Sequence, residues 1–298
     1  MNKTIKNLVL EGGGVKGVAY AGALKVLEDQ NIMASVERVA GTSAGAITAC
    51  LVSLRYSADD ISSTIKGMNL GSFDDKENII KKIHYYGLHP GNTFLNWIKG
   101  QIANAGHGFG ENATFEDFKN AGCRDLRVFS CDICTHTVQE FSFKATPKVV
   151  VAEAVRASMS IPLYFNAWKF TNDNPTDHLY VDGGMVYNYP ITAFSDVDPD
   201  QVETLGLRLE DVNNKREISK FGYGHWGEYV KNTFETLMAG QTIDFHRNED
   251  QVAITIIIDD LGVKATDFDI SDETKNNLVT SGETATKNYL AKHSSTVS

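Results

Sequence analysis

VERVAGTSAGAITAC, residues 36–50, passes from a short strand-like run into a helix that is apolar nearly all round, with a serine at the join. VERVAG reads as a buried strand, and AGAITACLVSLRY, from Ala44, reads as a central helix. Between them GTSAG, residues 41–45, follows the Gly-x-Ser-x-Gly pattern. A turn of this kind lifts a serine hydroxyl clear of the sheet edge, and its flanking glycines relieve the crowding of a sharp reversal. Ser43 is therefore a candidate nucleophile with Gly41 and Gly45 as its support, and strand, turn and helix together begin an α/β fold.

Upstream lies LVLEGGGVKG, residues 8–17, another strand that runs through glycines into a helix. Gly12, Gly14 and Gly17 satisfy the spacing of a dinucleotide loop, but that fold needs an acidic residue at the end of the second strand, and Glu37 begins it. A phosphate-binding P-loop fits worse, because Lys16 precedes the last glycine and no Ser or Thr follows in the required place. An oxyanion hole fits better. It needs backbone N–H groups aimed at a developing negative charge, one of them commonly from the residue after the nucleophile. Ala44 supplies that one, and Gly12, Gly13, Gly14 and Val15 supply the others, provided that the first two strands are parallel neighbours whose loops leave the same sheet edge.

The rest of the chain extends the alternation. RVFSCDIC and TVQEFSF flank Thr135 and His136 as a hairpin, Thr114 and Asp117 have capping-box spacing, and TPKVVVAEAVRASMSIP reads as a helix entered by Pro147 and finished before Pro162. HLYVDGG is a strand that ends in a tight turn, TLGLRL and VAITIII are further strands, and residues 224–248 and 272–293 are helical. The expectation is a three-layer α/β sandwich: a central, mainly parallel sheet with helices on both faces. Scattered prolines, no long linker and no repeat favour a single domain over residues 1–298, with a helical insert or lid at about 70–112.

The formal charge of −10, with 28 basic against 38 acidic residues and no basic stripe, disfavours nucleic acid and simple adhesion to an anionic membrane. No apolar run is long enough for a membrane span or an amino-terminal signal, so a cytoplasmic or membrane-peripheral protein is expected, with signal-less secretion open. Cys131 and Cys134 form a lone CxxC within a strand pattern, with no second pair to complete a zinc site; neither a metal nor another cofactor is expected.

Ser43 needs a base. Asp182, in VDGG at a strand end, is one candidate, although aspartate before glycine is also a common turn. His225, His246 and His293 follow it in helical or terminal segments and keep a histidine-dependent esterase open. A non-catalytic lipid- or nucleotide-binding module is the other alternative.

The ordered set EGGGVKG, GTSAG, ASMSIP (residues 157–162) and DGG (residues 182–184) resembles the patatin-like phospholipase family over nearly the whole chain. Matched position by position, the resemblance implies Ser43 as nucleophile, Asp182 as base with no histidine, and the Gly12 to Gly14 loop as oxyanion hole. It implies Lys16, Gly17, Gly183 and Gly184 as motif support. The activity it implies is hydrolysis of acyl esters of glycerolipids, with a membrane or micellar lipid as the partner. Glu11 stands where plant members carry Asp, and Lys16 where many carry Arg, so the planar fork of a guanidinium is lost there. FLNWIKGQI, residues 94–102, is read either as an interfacial stripe or as a helix packed on the core.

Overall fold

The computed structural model describes residues 4–68, 86–170, 177–213, 215, 217–218, 220 and 222–294. Among these residues the central sheet has seven strands. β1 (Asn7–Leu10), β2 (Arg38–Thr42), β3 (Gly87–His89), β4 (Asp125–Asp132), β5 (Thr137–Ser142), β6 (Leu163–Phe165), β7 (Tyr180–Asp182), β8 (Thr204–Glu210) and β9 (Thr255–Asp259) follow along the chain, with β3 and β6 forming a separate two-stranded ladder. The main order is β5-β4-β2-β1-β8-β9. Pairing is parallel from β4 to β9 and antiparallel from β4 to β5 and to β7, so the sheet is mixed, with a parallel majority.

The apolar runs explain this arrangement. A parallel sheet covered on both faces takes near-continuous hydrophobic strands, and every residue of β1 is buried. Leu8, Leu10, Val39, Val128, Leu205 and Leu207 join the large core, whereas Val9, Ala40 and Phe129 turn to the other face and pack with Ile191, Ala193 and Phe194. Each fully buried aliphatic side chain contributes about 1.5–3 kcal/mol. α1 (Ala19–Asp29) follows the glycine loop, and α2 (Ala44–Ser53) follows Ser43 with all of its residues buried, as the apolar sequence AGAITACLVS requires.

The expected hairpin is present, with Cys131 opposite Val138, and so is the Thr114–Asp117 capping box. The helix expected from Pro147 instead starts at Val151, because Val150 forms a β-bridge with Thr114 and has extended backbone. FLNWIKGQI lies within the helix Asn92–Ala103; Phe94, Ile98 and Ile102 are buried and Leu95 and Trp97 pack against the same core, so the interfacial reading gives way to the core one. Of the expected insert at 70–112, residues 70–85 lie outside the described residues. No helix among the described residues is long and apolar enough to cross a membrane.

Candidate active site

Strand β4 brings Ser43 and Asp182 together. Along one side of β4, β2 pairs up to Thr42 opposite Phe129; the next β4 residue, Ser130, opposes Asp182 of β7. The other side of β4 is taken by β5 over the same stretch. β7 therefore continues the lane that β2 vacates, in the opposite direction, and the residue after Thr42 meets the last residue of β7 end to end.

The serine backbone has φ 53° and ψ −125°, a strained conformation for a residue with a Cβ. Close backbone approach on both sides requires the flanking glycines. A Cβ on Gly45 would lie 2.5 Å from the Leu10 carbonyl oxygen, and one on Gly41 would collide with the Gly45 carbonyl. Ser43 Oγ donates to Asp182 Oδ2 at 2.7 Å, while the Gly184 N–H donates to Asp182 Oδ1 at 2.7 Å. Gly183 is needed for the same reason as Gly45, since a Cβ there would lie 2.5 Å from the Phe129 carbonyl oxygen.

Asp182 is wholly buried, and burial pushes its carboxyl up to about 7 against the opposing hydrogen bonds from Ser43 and Gly184. A carboxylate with that affinity for protons is a far better base at neutral pH than an ordinary aspartate. The ASMSIP segment clamps both members of the pair. Ser158 Oγ accepts the Ser43 N–H at 2.8 Å and donates to the Phe129 carbonyl at 2.6 Å; the Ser160 carbonyl accepts the Asp182 N–H at 2.8 Å. Met159 Sδ lies 3.5 Å from Ser43 Oγ. The sequence singled this segment out as a motif but carried no signal of what it holds.

The glycine loop and the elbow do leave one sheet edge together, because β1 and β2 are parallel with Leu10 opposite Gly41. The loop amides are not equivalent. Gly12 N–H donates to the Asn188 carbonyl at 2.9 Å and Val15 N–H to the Ala265 carbonyl at 3.1 Å. The N–H groups of Gly13, Gly14 and Ala44 have no hydrogen-bond partner among the described residues. Of the five amides expected as donors, two are thus taken by carbonyls of the chain and three are not.

Lys16 is engaged within the protein: its Nζ is 2.9 Å from Asp260 Oδ2, with both groups buried. Glu11 is also committed. It accepts the Leu209 N–H at 2.8 Å and lies 3.6 Å from Arg208 Nε; burial raises its carboxyl despite the guanidinium. Gly17 packs on α2, where a Cβ would lie 3.0 Å from Ala44 Cβ.

None of the three expected histidines is bonded to the pair. His246 contacts Glu210 at 3.0 Å, His293 Nδ1 lies 2.8 Å from the Tyr289 carbonyl, and His225 is exposed 4.0 Å from Glu228. Among the described residues, Asp211, Asp259 and Asp260 form the one group with donor atoms close enough to share a metal ion, within 4.8 Å, and Lys16 already neutralises Asp260.

A family model described as patatin-like phospholipase matches residues 8–195, which span the glycine loop, the elbow and the aspartate loop. This chain belongs to the patatin-like phospholipase family. Membership places it among lipid hydrolases as a class. The uncharacterized protein YqhO of Bacillus subtilis is 30% identical over 298 residues, covering 95% of this chain and 97% of that one. A protein named probable lipid hydrolase 463L, of Invertebrate iridescent virus 6, is 28% identical over 192 residues and 63% of each chain. Among solved structures, VipD from Legionella pneumophila superposes with a TM-score of 0.66 at 18% identity, covering 97% of this chain and 67% of that one. The type III effector ExoU of Pseudomonas aeruginosa gives 0.55 at 15%, and this chain spans 53% of its length. At such identities these two likenesses concern the patatin-like fold alone.

Proposed function

We propose that the chain is a lipid acyl hydrolase that cleaves fatty-acyl esters of glycerolipids, with Ser43 as nucleophile and Asp182 as base. The observation that carries this reading is the 2.7 Å hydrogen bond from a strained, glycine-flanked serine to a wholly buried carboxylate. Ser43 Oγ attacks the ester carbonyl as Asp182 takes its proton, and the amides of Gly13, Gly14 and Ala44 stabilise the oxyanion. Collapse of the tetrahedral intermediate expels the alcohol, which takes the proton back from Asp182. Water activated by the same carboxylate then releases the fatty acid.

The acyl chain has an apolar cleft beside these amides, lined by Ala44, Ile47, Ile65, Met68, Phe268 and Ile270. The cleft holds about 20 Å³, room for little more than one water. The substrate being a lipid, the protein works at a membrane surface or micelle from the aqueous side.

The test is labelling by a fluorophosphonate together with hydrolysis of mixed phospholipid vesicles, read by mass spectrometry of released fatty acids. Wild type labels and releases acids, and Ser43→Ala does neither. Undiminished release by Ser43→Ala refutes the assignment, and a wild type that never labels favours a binding module.

A further inference from the structure

Gln241 caps the carboxyl end of the helix Trp226–Gly240, and its side-chain amide joins two loops. Nε2 donates to the Gly184 carbonyl at 2.7 Å, with the Leu237 carbonyl at 3.5 Å, and Oε1 accepts the Asn188 N–H at 2.8 Å. Gly184 is the residue whose own N–H holds Asp182 Oδ1. Asn188 closes around the glycine loop in turn: its carbonyl accepts the Gly12 N–H at 2.9 Å, and its Nδ2 donates to the Gly12 carbonyl at 3.1 Å and to Glu11 Oε1 at 3.3 Å. Gly12 abuts the elbow so closely that a Cβ on it would lie 3.2 Å from Ser43 Cβ. A continuous hydrogen-bonded bracket therefore runs from the aspartate loop through Gln241 and Asn188 to the glycine loop. The helix that carries Gln241 is seated over this region by a small cluster of its own, Ile161, Phe234, Met238 and Ala265, with Phe234 against Gly184.

We propose that Gln241 is a positioning residue, whose amide fixes the spacing between the aspartate loop and the glycine loop so that the Asp182 carboxylate and the unengaged amides of Gly13 and Gly14 face Ser43 together. This rests on the hydrolase reading above. A primary amide suits the task because one planar group offers a donor to Gly184 and an acceptor to Asn188; a carboxylate offers acceptors alone. The bracket is a rate device more than a stability device. One such hydrogen bond contributes about 1 kcal/mol to folding, whereas a misplacement of about 1 Å among reacting groups costs on the order of 10²-fold in rate.

The test compares Gln241→Met, which keeps the length and loses both bonds, with Gln241→Glu, which keeps the acceptor for Asn188 and loses the donor to Gly184. Both are assayed on a soluble p-nitrophenyl ester, with rates referred to the fluorophosphonate-titrated fraction and urea unfolding measured in parallel. Expected are a fall in kcat of about 10- to 100-fold for Gln241→Met with KM within about twofold, a smaller fall for Gln241→Glu, and little change in the urea midpoint. A Gln241→Met enzyme with wild-type kcat per titrated site, or one whose loss lies in KM alone, overturns the proposal. Ser43→Ala run alongside separates the two readings. If it retains turnover, the hydrolase reading itself falls; if it is inactive while Gln241→Met is normal, the positioning role alone falls.

Discussion

The proposed nucleophile and its carboxylate partner come from two differently built halves of one sheet. Ser43 stands at the carboxyl end of a parallel strand, on a strand-turn-helix unit whose glycines and apolar helix are all local in the chain. Asp182 ends a three-residue antiparallel strand that owes its place to β4, with its N–H held by the Ser160 carbonyl. On the parallel side the proposed chemistry draws on backbone strain, and on the antiparallel side on burial. A strained φ presents the hydroxyl; exclusion of water raises the proton affinity of the carboxyl.

The largest way to break this comparison is to remove each half in turn. Ser43→Ala and Asp182→Asn should each lower kcat/KM on a soluble ester by about 10³-fold or more, with the double variant hardly worse than either single one, since the two act as a unit. Additive losses would show that the halves work independently. In the wild type, kcat/KM should climb through an apparent pKa near 7 as Asp182 ionises.

The second effect sharpens the burial side. The Asp182 carboxyl is raised to about 7 from an ordinary 3.8, so the native state holds this proton more tightly than the unfolded chain. Its contribution to stability is fully present below about pH 4 and is lost as pH rises to 7. Asp182→Asn should accordingly unfold at higher urea than wild type at pH 8, by at most about 4 kcal/mol, with the gain shrinking toward pH 4. A difference independent of pH would mean that the carboxyl is not raised.

A third, smaller effect compares the corners. Gly41→Ala and Gly183→Ala each push a Cβ into backbone, that of Gly45 and that of Phe129 respectively, and each should cost about 1–3 kcal/mol in urea unfolding. Equal costs would show the two corners to be packed alike; a free substitution at either would disprove the close approach there. The smallest effect falls outside both halves. Trp97→Ser should leave partitioning onto liposomes unchanged and cost about 1–2 kcal/mol of stability, because Trp97 packs on Phe94 and the core at a ring separation of 5.8 Å.

What could be read from residues alone follows the same division. The elbow, the glycine loop, the hairpin and the Thr114 cap were legible because each depends on spacing within a few residues. Gly12 and Val15 were not separable from Gly13 and Gly14, since the carbonyls that occupy their amides belong to Asn188 and Ala265, far along the chain. Lys16 gave no sign of Asp260, and the three-residue strands β3 and β6 are too short to show a period. The delayed start of the helix Val151–Ser158 came from a bridge to Thr114 that no local pattern announces.

The lane that β2 and β7 share along β4 sets a rule for insertions and deletions. Lengthening the connections that lead into either strand leaves the meeting of the two ends unchanged. Adding or removing a single residue within Tyr180–Asp182 would turn the carboxylate to the opposite side of the sheet, because side chains alternate from one residue to the next. Evolution can therefore remodel the approach to this aspartate freely, but it must keep the parity of those three positions.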